Sequence, residues 1–272
     1  MTSDNEMSKE EISAGETAPP ASADLLRIAA DPALTEDFAL ALLKHPGLPP
    51  EVLEQLAKNA SALKSRKAKI ALASHPRTPR HVSVPLARQF YTFDLMKVAL
   101  SPGVPADVKV AVDDVLISRL KTVTIGERLT LARRASGRVA AALLLDAEAG
   151  DGKIVTDKII HTKTVDRETR VMQAALENPR LTGALVIYSV LRPVASAALV
   201  QAVVQHAKWS RRGEIRAALL RTEHLSLARA LELSHDFPAP HLHELLASWR
   251  LPAPIKDQLL RERCTGSPPP SP

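Results

Sequence analysis

The chain has 272 residues, of which 45% are hydrophobic, 24% charged and only 3% aromatic. This is a globular composition with a core of alanine, leucine and valine, and it excludes a disordered or fibrous protein. A single cysteine, Cys264, excludes a disulfide framework and a zinc or iron–sulfur centre built from cysteines.

Charge is distributed unevenly along the chain. The net charge is +6, yet residues 1–22 are acidic, so the remainder is more basic than the total indicates. An excess of Lys and Arg favours acidic partners, including nucleic acid.

Residues 1–22 and 264–272 are predicted to be disordered tails, because both are polar and have little to bury. The start of the chain lacks a secretory signal, which predicts residence in the cytoplasm.

Apolar residues then recur at helical spacing, and no convincing strand alternation is found. Val52, Leu53 and Leu56 share one face, and Val108 and Val112 begin a similar stripe. The sequence therefore predicts an all-α protein. The most apolar stretch, residues 184–204, is interrupted by Arg192-Pro193. This interruption predicts two buried helices and no membrane span.

A five-residue corner separates several of these predicted helices. A polar residue precedes a proline, an apolar residue usually stands fourth, and Thr or Pro stands fifth. The proline ends the incoming helix, and the fifth residue starts the next one. Short corners force successive helices side by side, which predicts an α-solenoid. The corners start at Asp31, His45, His75, Ser101 and Asn178, and their prolines are Pro32, Pro46, Pro76, Pro102 and Pro179.

The segment from His45 to Ala57, His-Pro-Gly-Leu-Pro-Pro-Glu-Val-Leu-Glu-Gln-Leu-Ala, and the corner from His75 to Pro79 resemble the variant leucine-rich repeats of bacteria. The resemblance covers residues 31–110 well and 178–191 in part, and it implies a right-handed superhelix of stacked short helices. Longer helices, such as the one predicted over 165–176, look more like HEAT repeats. The family's iron–sulfur example has an N-terminal cysteine cluster. This chain lacks one, so no cofactor is carried over.

Two sets of repeats are predicted, over residues 23–148 and 153–263, with a seam at Gly150-Asp151-Gly152. Further, degenerate corners are expected at residues 121–126, 149–153, 221–226, 236–240 and 251–254.

Candidate binding residues lie in three basic tracts. The richest surrounds one of only two tryptophans. In a nucleic-acid-binding protein the cations would contact phosphates and the indole would stack on a base. The favoured interpretation is a helix corner with Trp209 in the core and the cations in solvent. The first tract comprises Lys208, Trp209, Arg211, Arg212 and Arg216, the second Arg128, Arg133, Arg134 and Arg138, and the third Lys64, Arg66, Lys67 and Lys69.

Other chemistry is weakly supported by the sequence. His235, Asp236, His241, His243 and Glu244 are of metal-binding types, but residues two apart on a helix point in different directions, so no metal site is predicted. His45 and His75 are interpreted as corner residues that satisfy helix ends. No catalytic motif is found.

The sequence therefore favours a noncatalytic scaffold that mediates protein–protein interaction and carries no cofactor. The alternative is a nucleic-acid-binding HEAT-like protein that uses the basic face between Lys208 and Arg216, in the style of helical-repeat DNA glycosylases.

Overall fold

The computed structural model describes residues 22–146, 158–235, 237–238, 240–242, 244 and 252–263, without the side chains of 158–166 and 262–263. The described residues are helical or lie in turns and loops, with no strand among them, which confirms the all-α prediction. The chain divides into two compact units: unit 1 comprises residues 1–83 and unit 2 residues 84–272.

The helices are short, and most are separated by only a few residues. Those that lie in unit 1 or begin there are α1 (Ser22–Ala30), α2 (Glu36–Leu43), α3 (Pro50–Lys58), α4 (Ala60–Lys64), α5 (Arg66–Ser74) and α6 (Arg80–Ala87). Unit 2 contains α7 (Thr92–Leu100), α8 (Ala106–Ser118), α9 (Ile125–Arg134), α10 (Gly137–Asp146), α11 (Lys158–Leu176), α12 (Gly183–Val190), α13 (Ala197–Gln205), α14 (Gly213–Leu220), α15 (Leu227–Ser234) and α16 (Ala253–Arg263).

The predicted corners fall where helices end and begin. Thr35 and Thr182 are N-caps whose hydroxyls accept from the backbone N–H groups of Phe38 and Leu185. Pro49 and Pro105 occupy the N-cap positions of α3 and α8, where a proline leaves no helical hydrogen bond unmade. The corner prediction is thus confirmed at the level of helix boundaries.

The fourth corner residue packs inward as expected. Leu34, Leu48, Val104 and Leu181 are all buried. Thr78, the polar exception, is also buried. Its hydroxyl donates to the carbonyl of Leu72 at 2.7 Å, so its burial leaves no unpaired hydroxyl.

Several corners form without a proline, and those at Asn59 and Ser65 were not predicted from the sequence. Asn59 separates α3 from α4, and Ser65 separates α4 from α5; each caps the following helix with its side chain. At α9, Thr124 and Glu127 form a reciprocal capping box at one of the expected degenerate corners. Capping by a single polar residue therefore replaces proline at these positions.

Helix packing within each unit follows a simple order. In unit 1, α1 packs on α3 and α2 on α5. In unit 2, α9 packs on α11, α10 on α12, α11 on α13 and α12 on α14. Helices two or three places apart are therefore neighbours, and consecutive helices such as α7 and α8 also pack together, with buried Leu, Val and Ala side chains between them.

The apolar stretch 184–204 is divided between α12 and α13, as predicted from Arg192-Pro193. Among the described residues, no helix has both the length and the apolar character needed to cross a membrane.

Some predictions concern residues that the structure does not describe: the acidic tail before Ser22, the seam at 150–152, the degenerate corner at 149–153, the tail 264–272 with Cys264, and Asp236 and His243 of the possible metal cluster.

Candidate functional site

The corner at Asn178 is tied to an earlier corner by its side chain. The Asn178 amide nitrogen donates to the carbonyls of Ala132 and Ala135, at 2.8 and 3.1 Å, at the end of α9. Its amide oxygen accepts from the backbone N–H of Arg180, at 2.8 Å. Asn178 is fully buried, so these bonds satisfy groups that solvent does not reach. One side chain thus closes its own turn and bonds the preceding layer of helices.

Two residues of unit 1 make the same pair of contacts. Asn59 donates to the carbonyls of Ala29 and Asp31, at 2.9 and 2.7 Å, and accepts from Ser61 N–H. His75 bonds the carbonyl of His45 through Nε2 at 2.9 Å and the N–H of Arg77 through Nδ1 at 3.2 Å. Because a carbonyl can only accept and an N–H can only donate, the His75 ring carries its proton on Nε2. The predicted helix-end role of His75 is therefore only half of what it does.

The residue two places further on reinforces each bond to the earlier corner. Arg77 donates to the carbonyl of Gly47 at 2.8 Å, and Arg180 donates to that of Arg134 at 3.1 Å. After Asn59, the Ser61 hydroxyl donates to the carbonyl of Pro32 at 2.6 Å. Neither arginine was predicted as a site residue, although His75-Pro-Arg77 and Asn178-Pro-Arg180 share the same spacing in the sequence.

Trp209 is the fourth residue of the corner between α13 and α14, three places after His206, whose Nδ1 accepts from Lys208 N–H at 3.2 Å. In this corner Trp209 supplies the bond to an earlier corner. Its side chain is fully buried, and the indole N–H donates to the carbonyl of Leu176 at 2.8 Å. Lys208 Nζ lies 4.1 Å from the ring centroid, and the Arg212 guanidinium carbon lies 5.2 Å from it. Both distances suit cation–π attraction. A buried indole has no free face for a nucleic-acid base, so the structure does not support base stacking by Trp209.

Three corners of unit 2 lie side by side and bring two of the predicted basic tracts together. Arg180 bonds Arg134, which places the α11–α12 corner against the α9–α10 corner. A Cβ atom at Gly183 would lie 2.8 Å from an Arg212 terminal nitrogen, so Arg212 rests against the start of α12. We call the exposed cations of these three corners the cationic edge: Arg133, Arg134, Arg180, Lys208, Arg211 and Arg212.

The other predicted basic residues are placed differently. Arg138 pairs with Asp114 at 2.8 Å, and Arg216 donates to the carbonyl of Ser210 at 2.6 Å. Arg128 points inward, where it forms an ion pair of 2.6 Å with Asp146, and both side chains are largely buried. The third tract, Lys64 to Lys69, lies in unit 1, where Lys67 pairs loosely with Glu36 at 3.9 Å.

The cationic edge also contains two negatively charged side chains. Glu177 and Glu214 lie at its corners, and the Glu214 carboxylate is about 4.0 Å from the position of a Cβ at Gly183. Burial lowers the pKa of His206 against the attraction of Glu177, and the charge of Lys208 lowers it further. His206 is therefore neutral at physiological pH, and the positive charge of the edge comes from Arg and Lys.

A buried carboxylate lies beneath the α9–α10 corner. Asp113 of α8 accepts the Ser136 hydroxyl hydrogen bond at 2.7 Å, and Ser136 in turn caps α10 by accepting from Val139 N–H. Burial raises the pKa of Asp113, although the Ser136 bond and the nearby Arg138 act in the opposite direction. Within the described residues, its other oxygen is buried without a hydrogen-bond partner. The polar contacts of this corner are therefore less complete than those of Asn178.

Two concave regions of unit 2 accompany the corners. One, of about 220 Å³, lies between the corners after α12 and α14 and is lined by Arg192, Arg221, Thr222 and His224. The other, of about 470 Å³, lies between α11 and α13, where Gln173, Gln201 and Gln205 line it beside alanines. Glu177 and His206 also line the second region, but His206 is the only one of the three described groups with a shifted pKa that lies in either region, whereas an acid–base site needs several together.

Metal-binding side chains do not cluster in the part of the chain that the structure describes: no group of three or more His, Cys, Asp or Glu residues could hold an ion there. Of the sequence cluster, His241 stacks on Phe237, with the ring centroids 5.8 Å apart.

In comparisons with protein-family models, curated proteins and solved structures, no match to this chain is found.

Proposed function

We propose that this chain is a noncatalytic scaffold, an α-solenoid of short helices that binds a protein partner along its exposed corners and helix faces. The observation that carries the proposal is the recurring corner bond. Asn59, His75 and Asn178 each reach back to an earlier corner while closing their own. A solenoid needs such bonds because each repeat contacts only its neighbours.

The packing order supports the same proposal. Neighbouring helices two places apart, as in α10, α12 and α14, are what a stack of helical pairs would produce. A stack of this kind has a large surface relative to its core, and solenoids use that surface for binding.

The distribution of shifted pKa values also favours binding over catalysis. Asp113 lies on α8, Glu127 in the first turn of α9, and His206 after α13. Each shift has a local structural cause: burial for Asp113 and His206, and the capping hydrogen bonds of Thr124 for Glu127. An acid–base site would bring such groups within hydrogen-bond reach of one another.

The test is reconstitution from purified components. The tagged full chain is used to capture partners from cells, and each candidate is then purified and titrated against it by calorimetry. We expect a saturable complex of defined stoichiometry. The Asn178→Ala variant, whose stack is loosened, should bind more weakly, and Ser118→Ala, which alters one exposed hydroxyl, should bind like the wild type. A chain that binds no purified protein but retards DNA in a gel would contradict the proposal.

A further inference from the structure

We propose that the cationic edge of unit 2 binds an acidic, extended segment of the protein partner. The proposal rests on the proposed scaffold function and names the chemistry of its partner. Its basis is the alignment of Arg134, Arg180 and Arg212 on three adjacent corners.

Contacts within the corners restrict the conformations of these cations. One guanidinium nitrogen of Arg180 donates to the carbonyl of Arg134. Lys208 and Arg212 lie over the buried ring of Trp209. Trp209 is itself fixed by its bond to Leu176. Side chains that are already ordered lose less conformational entropy on binding, so each ion pair retains more of its favourable energy.

The spacing of the corners suits a peptide. Packed helices lie about 8–10 Å apart, so one set of cations recurs at roughly that interval along the edge. An extended chain advances about 3.3–3.6 Å per residue, so acidic side chains at every third position recur about every 10 Å. The guanidinium groups can each bind a carboxylate through two parallel hydrogen bonds.

The same surface is less suited to nucleic acid. Duplex DNA has about one negative charge per 1.7 Å of its axis, far denser than the corner spacing. Glu177 and Glu214 would repel a phosphate backbone, and Trp209 has no exposed face on which a base could stack. A peptide whose carboxylates are separated can place uncharged residues beside Glu177 and Glu214, whereas a continuous polyanion cannot.

The experiment uses the full chain and fluorescence anisotropy. The probes are a labelled peptide with glutamate at every third position, its glutamine counterpart, a labelled DNA duplex and a labelled single-stranded RNA. The edge variant combines Arg133→Glu, Arg134→Glu and Arg211→Glu, all of them exposed. The control variant makes the same charge change at Arg88, Lys121 and Arg221, which lie in other corners of unit 2. Lys121 and Arg221 are at the opposite ends of α9 and α14 from the edge.

We expect the glutamate peptide, and not the glutamine peptide, to bind the wild type. Charge reversal on the edge should weaken that binding by about tenfold or more at low salt. The control variant should retain most of the affinity. Equal losses in both variants would indicate a diffuse charge effect and overturn the proposal. So would an absence of peptide binding, or tighter binding of DNA or RNA that the edge variant abolishes.

The outcome is separable from that of the scaffold itself. If a purified protein partner binds the wild type and the edge variant equally well, the scaffold function stands and the cationic edge is not its docking surface.

Discussion

The two units use the same corner bond at different chain separations. In unit 1, Asn59 and His75 bond residues 28 to 30 positions earlier. In unit 2, Asn178 bonds residues 43 and 46 positions earlier, and Trp209 bonds one 33 positions earlier. The contact is retained although the length of chain between corners changes by half, so extra residues are absorbed between corners without disturbing them. The chemistry of the corner is therefore more constant than the length of the repeat.

Individual corners of the two units also differ in how tightly they are packed, and the units differ in the polar groups they bury. A Cβ atom at Gly47 in unit 1 would meet nothing within 4 Å, whereas at Gly137 in unit 2 it would lie 2.3 Å from the carbonyl oxygen of Arg180. The corner at Gly137 is thus more closely packed than that at Gly47, although a Cβ atom at Gly126 or Gly213 of unit 2 would also meet nothing within 4 Å. Among the described residues, the buried polar groups of unit 1 are amide, imidazole and hydroxyl, while unit 2 also buries Asp94 and Asp113.

The largest effect is expected at Trp209, where the fourth residue of a corner makes the bond to an earlier corner that the first residue makes at His75 and Asn178. Trp209→Ala removes a fully buried indole and leaves the Leu176 carbonyl without its side-chain donor. We expect a loss of about 3–5 kcal/mol in the free energy of unfolding, measured with urea.

The matched variant is Trp209→Phe, which keeps most of the apolar volume and removes the N–H with a smaller part of the ring. It should cost less, about 1–3 kcal/mol. If Trp209→Ala were nearly neutral, this corner would not depend on the buried side chain as the comparison with Asn178 requires.

The next effect compares the two glycines directly. Gly137→Ala would force its methyl group against the Arg180 backbone and the Leu185 side chain, and a backbone oxygen cannot move aside cheaply. We expect a loss of up to about 3 kcal/mol. Gly47→Ala has open space and should be neutral or stabilising by up to about 1 kcal/mol, because alanine restricts the unfolded chain. Thermal and urea unfolding of both variants will test this; equal effects would mean that the corners of the units are packed alike.

Local sequence rules predicted the helices and many of their ends, because a proline or a capping Thr acts on residues adjacent to it. Thr35, Pro49, Pro105 and Thr182 illustrate this success. The same rules failed at Asn59, where a single amide replaces the proline. This Asn is distinguished from other Asn residues only by its hydrogen bonds to residues 28 and 30 positions earlier. Capping by a lone Asn is too common to predict a corner on its own.

The cationic edge was only partly predictable. Arg133, Arg134, Arg211 and Arg212 were identified as basic tracts, but their proximity depends on Arg180, which no tract contained. The favoured placement of Trp209 in the core is confirmed. The inward position of Arg128 could not be predicted from composition, since Arg occurs in either setting. Long-range contacts decide these cases.

The central comparison is tested by removing the equivalent amide in each unit. Asn178→Ala leaves the Ala132 and Ala135 carbonyls without that donor, and Asn59→Ala does the same for Ala29 and Asp31. If corner chemistry matters more than spacing, both variants should lose about 2 kcal/mol in urea unfolding. Asn178→Asp retains the acceptor for Arg180 N–H but loses the donor, so it separates the two halves of the contact. A cost at Asn59 with none at Asn178 would contradict the equivalence of the corners.

The smallest effect concerns the buried carboxylate that distinguishes unit 2. Because burial raises the pKa of Asp113 in the folded state, the folded protein binds its proton more tightly than the unfolded chain, and stability from this group falls as pH rises through that range. Asp113→Asn removes the charge, so it should be more stable than the wild type near neutral pH, and the difference should shrink below the unfolded value of about 3.9. Urea midpoints measured across pH, with Asp257→Asn at an exposed position of α16 as the control, will test this. Parallel pH profiles for the wild type and Asp113→Asn would mean that the Ser136 bond and Arg138 fully compensate for the burial.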